Sequence, residues 1–288
     1  MARLLLGKPV EEALARDMAP RVQAVFEQGI VPTLAIVRMG ARPDDLSYER
    51  TAMKLAAELG IVVRPYVLVE GAPQKVVRAM LESINADSTV HGCLMLRPLP
   101  PTIDEDAMCE LLNPHKDVDG ITPTSLVSVF TDRDVGFPPC TAAACLRVLD
   151  YYGVPLEGRH AVVVGRSLVA GKPVAMMLMR RDATVTIAHS HTQGLPELCR
   201  AADVVVCATG RARAFGPECF RAGQTVLDVG INFDADGQLC GDVDFERVEP
   251  LVDSITPVPR GIGGVTTSEM MTHVVEAAEI AAASLSLS

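Results

Sequence analysis

Two rhythms of apolar and polar positions run along this chain. Across residues 10–28, Leu14, Met18, Val22 and Val25 recur near one helical face and the run stops at Gly29, which predicts a first helix. Residues 33–37 read as a strand and 40–45 as a polar loop containing Pro43. Ser47 is expected to cap a helix over 48–59 that Gly60 closes. Strands at 61–68 and 90–96 flank a helix at 74–84, and a short helix follows at 104–112. The second of these strands runs into Arg97, Pro98, Leu99, Pro100 and Pro101, which cannot continue a ladder. At 162–164 three successive valines suit a parallel strand buried on both faces. Gly165, Arg166, Ser167, Gly171 and Pro173 then spell strand, tight turn and helix start. Further strands at 184–188, 204–207, 225–229 and 254–256 come at βα spacing, and 266–283 ends the chain as an amphipathic helix.

This pattern predicts an α/β protein of two αβα lobes, the C-terminal one Rossmann-like and NAD(P)-binding, with a ligand cleft between them. The expected domains are 1–138 plus 267–288, and 139–266. Composition narrows the partners. With 288 residues, 49% hydrophobic and a net charge of −10, neither nucleic acid nor an anionic membrane is an expected partner. No apolar run reaches transmembrane length and residues 1–7 are too short for a signal-peptide core, so a cytoplasmic location is expected. The eight cysteines include no CxxC pair and read as reduced core residues, and no metal site is expected.

The chemistry concentrates at the turn after residue 164. Free N–H groups at a helix start favour phosphate, and glycine lets backbone approach it. The spacing of Gly165 and Gly171 is not GxGxxG, so an ordinary βα connection remains an alternative. The strand at 184–188 ends in His189, Ser190, His191 and Thr192, with no acid to select a free ribose 2′-hydroxyl. Arg166, Ser190 and His191 are candidates for a 2′-phosphate, favouring NADP with NAD the alternative; a plain polar turn is the other reading. In the first lobe, Tyr48, Lys54, Arg97, Lys116, Asp117 and Asp119 are the polar candidates at strand ends and loops.

PTLAIV at 32–37, Tyr48, PLP at 98–100, HKDVDG at 115–120, PCT at 139–141, VVGRS at 163–167, DVGIN at 228–232, GDV at 241–243 and TPVP at 256–259 stand in one order and spacing. In these the chain resembles the methylenetetrahydrofolate dehydrogenase/cyclohydrolase family over nearly its whole length. The resemblance implies a homodimer, NADP on Gly165, Arg166, Ser167, Ser190 and Ile231, and a reduced folate near Tyr48, Asp119, Pro98 and Leu99. Tyr48 and Asp119 are the implied catalytic residues, Asp119 pairing with the pterin amino and amide N–H groups.

The chain departs from that pattern at one telling place. The family lysine implicated in the cyclohydrolase proton transfers falls on Ala52, and the glutamine that helps hold it falls on Leu96. Lys54 lies ~240° round the helix from Tyr48 and is expected to point away. Other departures are Asp44, Asp45, Ala142, Ala144, Ala170, Arg260 and Gly264, and Arg97 and Arg260 are new charges. Retained dehydrogenase with weak or absent cyclohydrolase activity is therefore expected, and a catalytically silent folate or nucleotide binder is the alternative.

Overall fold

Parallel strand pairing organises both halves of the chain. The computed structural model describes residues 1–133 and 135–286. In chain order the elements are β1 (Arg3–Leu4), α1 (Gly7–Glu27), β2 (Thr33–Met39), α2 (Pro43–Leu59), β3 (Val62–Leu68), α3 (Gln74–Ala86), β4 (Gly92–Met95), α4 (Glu105–Leu111), α5 (Pro123–Thr131) and α6 (Cys140–Tyr151). They continue with β5 (His160–Val164), α7 (Gly171–Met179), β6 (Thr184–Ala188), α8 (Leu195–Ala201), β7 (Val204–Cys207), β8 (Thr225–Asp228), β9 (Asn232–Phe233), β10 (Leu239–Cys240), α9 (Phe245–Val248), β11 (Ser254–Ile255) and α10 (Ile262–Ser286).

Two compact units result. One joins Met1–Glu12 to Pro139–Thr266, and the other joins Ala13–Pro138 to the residues from Thr267 onward. The pattern had placed residues 1–12 with the other lobe. They move because β1 pairs in parallel with β11, Arg3 opposite Ser254 and Leu4 opposite Ile255, a two-residue strand too short to betray itself in periodicity.

In the first unit the sheet runs β1-β11-β8-β7-β5-β6, every neighbour parallel. Val162, Val164, Val205, Cys207, Val226 and Ile255 share one core, while Ala161, Val163, Val206 and Leu227 are equally buried. That two-sided burial explains the unbroken valine runs. The chain steps from β5 to β6 on one side and returns to β7 on the other. The switch point, where open α/β sheets bind ligands, therefore lies at the carboxyl ends of β5 and β7.

In the second unit β2 is flanked by β3 and β4, all parallel. Ala35, Val37, Met39, Cys93 and Met95 join a core with Val77, Leu81, Met108 and Leu112 from α3 and α4 and the residue after it. Helix α2 starts at Pro43, five residues before the expected position, and Ser47 is not its cap. Proline is tolerated at the first helical position, and Asp44 and Asp45 in the first turn complement the helix dipole. The supposed polar loop was a helix start. All eight cysteines are buried and none is in a disulfide, and no helix of the described residues is long and apolar enough to cross a membrane.

Candidate functional site

A cavity of about 500 Å³ opens at the switch point of the first unit. It is lined by Gly165, Arg166, Ser167, His189, Ser190, Thr209 and Arg211 among others. Gly165 has φ +141°, and a Cβ there would run into the carbonyl of Ala208; one on Gly171 would run into the backbone of Gly165 and Arg166. The turn thus folds back on itself in a way that only two glycines permit. Ser167 Oγ accepts the N–H groups of Ala170 (3.2 Å) and Gly171 (3.4 Å), tying the turn to the start of α7 and leaving its own proton to donate.

Two buried carboxylates stand behind the 209–211 loop that lines part of this cavity. Asp228, at the end of β8, accepts the N–H groups of Asp242 (2.8 Å) and Val243 (3.0 Å). Burial pushes its pKa up to about 7 in spite of these bonds. Asp242 in turn accepts Thr209 N–H (2.5 Å), Thr209 Oγ1–H (2.9 Å), Gly210 N–H (3.2 Å), Arg211 N–H (2.9 Å) and Asn232 Nδ2–H (3.0 Å). Asp242 pins the loop after β7, which carries Thr209 and Arg211 into the cavity, and Asp228 holds the backbone at Asp242.

In the second unit, β2 and β4 end at the same carboxyl edge of their sheet. Beyond β2 comes α2 with half-buried Tyr48; beyond β4 come Arg97, exposed Pro98 and buried Leu99. The Leu99 side chain packs into the core, and its N–H donates to Glu105 Oε2 at 2.7 Å. Arg97 pairs with Glu105 at 3.3 Å. Helix α2 buries Asp45, Glu49, Ala52 and Ala56. Asp45 takes Arg42 in a two-pronged pair, both contacts at 2.8 Å, and Glu49 pairs with Arg38 of β2 at 2.7 Å. Ala52 is fully buried and Leu96 is 8% exposed, while the Lys54 side chain is 81% exposed beside Glu58. No amine stands on the inner face of α2, as the helical register predicts.

The HKDVDG loop divides its charges. Lys116 gives its ammonium protons to the carbonyls of Ile84 (2.7 Å), Asn85 (3.0 Å) and Asp87 (2.6 Å), closing the end of α3, and burial lowers its pKa. Asp117, wholly buried, accepts the N–H groups of Ile121 (2.9 Å) and Thr122 (2.7 Å). Both are structural, leaving half-buried Asp119 as the acidic group this loop presents. A second cavity, about 880 Å³, lies by Thr33, His91 and Lys116 at the amino ends of the strands, the edge opposite Tyr48 and Pro98.

Comparison with known proteins shows the family to which the chain belongs. Residues 5–119 match the family described as tetrahydrofolate dehydrogenase/cyclohydrolase, catalytic domain, and residues 139–282 match its NAD(P)-binding domain. The chain belongs to the tetrahydrofolate dehydrogenase/cyclohydrolase family. It is 48% identical over 282 residues to the bifunctional protein FolD of Carboxydothermus hydrogenoformans, covering 97% of this chain and 98% of that one. Its fold matches the bifunctional enzyme FolD of Campylobacter jejuni with a TM-score of 0.94 at 34% identity, over 97% of this chain and 99% of that one. The Trypanosoma brucei methylenetetrahydrofolate dehydrogenase-cyclohydrolase, solved with NADP cofactor and an inhibitor, matches at 0.91 and 31% identity, over 97% and 98%.

In this family member the structure gathers Gly165, Arg166, Ser167 and Ser190 around one cavity. Ile231 is not among its lining residues; its side chain is 63% exposed and lies beside Gly263. Thr209 and Arg211 were not among the sequence candidates, and Asp242 stood only within the GDV motif with no role given to it. The sequence signal for Thr209 and Arg211 is Gly210 at the end of the strand beside β5, where a switch-point loop belongs.

Proposed function

We propose that this chain oxidises 5,10-methylenetetrahydrofolate to 5,10-methenyltetrahydrofolate with NADP, and that its cyclohydrolase activity is much reduced. The observation that carries the first half is the glycine-cradled cavity at the switch point of an NAD(P)-binding domain. When bound, the nicotinamide cofactor supplies the hydride acceptor. Gly165 and Gly171 leave room for phosphate, and the Ser167 hydroxyl and backbone N–H groups are the donors for it. Arg166, Ser190 and His191, with no carboxylate at the end of β6, suit a ribose 2′-phosphate and favour NADP over NAD. The Trypanosoma brucei relative with NADP bound supports the same choice.

On the folate side, Asp119 offers two carboxylate oxygens to adjacent pterin N–H donors, and Tyr48 orients the ring. Pro98 and the backbone at Leu99 border them. Hydride transfer needs alignment more than proton chemistry, so this set suffices for oxidation. Hydrolysis of the methenyl bridge also needs a proton carried to the departing nitrogen. With Ala52 and Leu96 buried where the family places lysine and glutamine, that carrier is missing, and the rate falls by ~10²–10⁴. The motifs for both ligands are intact, which weighs against a silent binder. We further infer a cytosolic homodimer, on the family resemblance and the lack of a membrane-crossing helix among the described residues.

The test of the cofactor assignment is the Arg166→Ala variant. Its KM for NADP is expected to rise at least roughly tenfold while that for NAD barely moves, since a lost charge-assisted contact is worth ~1.5–3 kcal/mol. Equal effects on both cofactors would remove Arg166 from the 2′-phosphate.

A further inference from the structure

The loop that presents Asp119 is held from the C-terminal helix. His273 on α10 places Nδ1 2.8 Å from the carbonyl oxygen of Val118, the residue before Asp119. A carbonyl only accepts, so Nδ1 carries a proton and donates it. The ring itself has little freedom: it is 2% exposed and stacked on Phe137 with centroids 4.9 Å apart and planes 25° from parallel, while Nε2 faces Glu269 Oε1 at 3.7 Å. Val118 is wholly buried from the other side as well. It fills the space above Gly92 of β4, where a Cβ would lie 2.7 Å from Val118 Cγ1 and 3.0 Å from Val274 Cγ2. Asp117 closes the turn internally on the N–H groups of Ile121 and Thr122. Asp119 thus sits between a turn locked by its own backbone and a carbonyl gripped by a buried imidazole.

We propose that His273 is a positioning residue whose Nδ1–H bond to Val118 aims the Asp119 carboxylate, and so sets the affinity for the reduced pterin without touching it. This rests on the reading of Asp119 as the pterin contact. The family pattern read from the sequence gave His273 no role, because its partner lies 155 positions away.

The test compares His273→Asn with His273→Gln. Both lose the stack on Phe137, so their packing defects are alike. Asparagine returns an N–H close to where Nδ1 stood, whereas glutamine reaches toward the Nε2 side and leaves the Val118 carbonyl unserved. The Gln variant is expected to raise the KM for methylenetetrahydrofolate about tenfold with kcat and the KM for NADP nearly unchanged, and the Asn variant to stay within about threefold of the parent. Backbone amide exchange at residues 118–121 should quicken in the Gln variant and not in the Asn variant. Equal KM and equal exchange in the two variants would overturn the proposal. Asp119→Ala separates the premises: if it leaves the folate KM unchanged, the pterin contact fails, and the exchange contrast alone decides whether His273 holds the loop.

Discussion

Replacing Asp242 with asparagine asks how far the cofactor cavity depends on the carboxylate behind it. The side chain is wholly buried. Its Oδ2 takes Thr209 N–H, Thr209 Oγ1–H and Gly210 N–H, and its Oδ1 takes Arg211 N–H and Asn232 Nδ2–H. Asparagine keeps one oxygen. With that oxygen at the three-donor position, the new amide group faces the N–H of Arg211, and Asn232 can turn its own amide to meet it. Three bonds then fall from charge-assisted to neutral strength at ~0.5–1 kcal/mol each, and one buried amide loses its acceptor at ~1–3 kcal/mol. Relief of the repulsion that Asp242 exerts on Asp228 returns part of this. The net loss is about 3–5 kcal/mol, spent largely on the 209–211 loop. Thermal melts with and without NADP, together with steady-state kinetics, read both parts. The expectation is a lowered melting point and a KM for NADP raised about tenfold or more, with the folate KM at saturating NADP unchanged. A variant that melts and binds NADP like the parent would refute the reasoning.

Three other outcomes follow from the same physics. Arg38 and Glu49 form a buried pair with side chains 12% and 10% exposed, so Arg38→Met alone should cost ~3–5 kcal/mol in a urea melt, while Arg38→Met with Glu49→Leu should recover most of it. Asp228, with its folded pKa raised from 3.8 to about 7, binds a proton more tightly folded than unfolded; its protonation stabilises the fold below about pH 4, and that contribution of roughly 4 kcal/mol is lost as pH rises toward 7. Melts of the parent and of Asp228→Asn between pH 5 and pH 8 check this, since the variant should lack that part of the slope. Arg260 holds φ +82°, a left-handed conformation costly for a side chain, so Arg260→Gly should raise stability by about 1 kcal/mol, seen as a higher melting point.

What the sequence made legible followed from burial symmetry. Strands such as residues 162–164 and 204–207 announce themselves because both faces are buried and valine fills both. The glycines at 165 and 171 could be placed because a backbone turning back on itself leaves no room for a side chain. The start of α2 was hidden because Pro43, Asp44 and Asp45 look like a loop until one sees proline at the first helical position and acids in the first turn. Lys116 and Asp117 looked like substrate groups. Their partners are backbone carbonyls 29 to 32 positions away and amides across a local turn, which composition cannot reveal. By contrast the outward direction of Lys54 needed only the helical repeat.

The measurement that bears most directly on the account is a paired assay of oxidation and hydrolysis on one preparation, beside the Ala52→Lys, Leu96→Gln variant. The account predicts NADP-dependent oxidation in both proteins, accumulation of the methenyl product in the parent, and hydrolysis at least ~10²-fold faster once the two polar residues stand together again. Hydrolysis as fast in the parent as in the variant would contradict it.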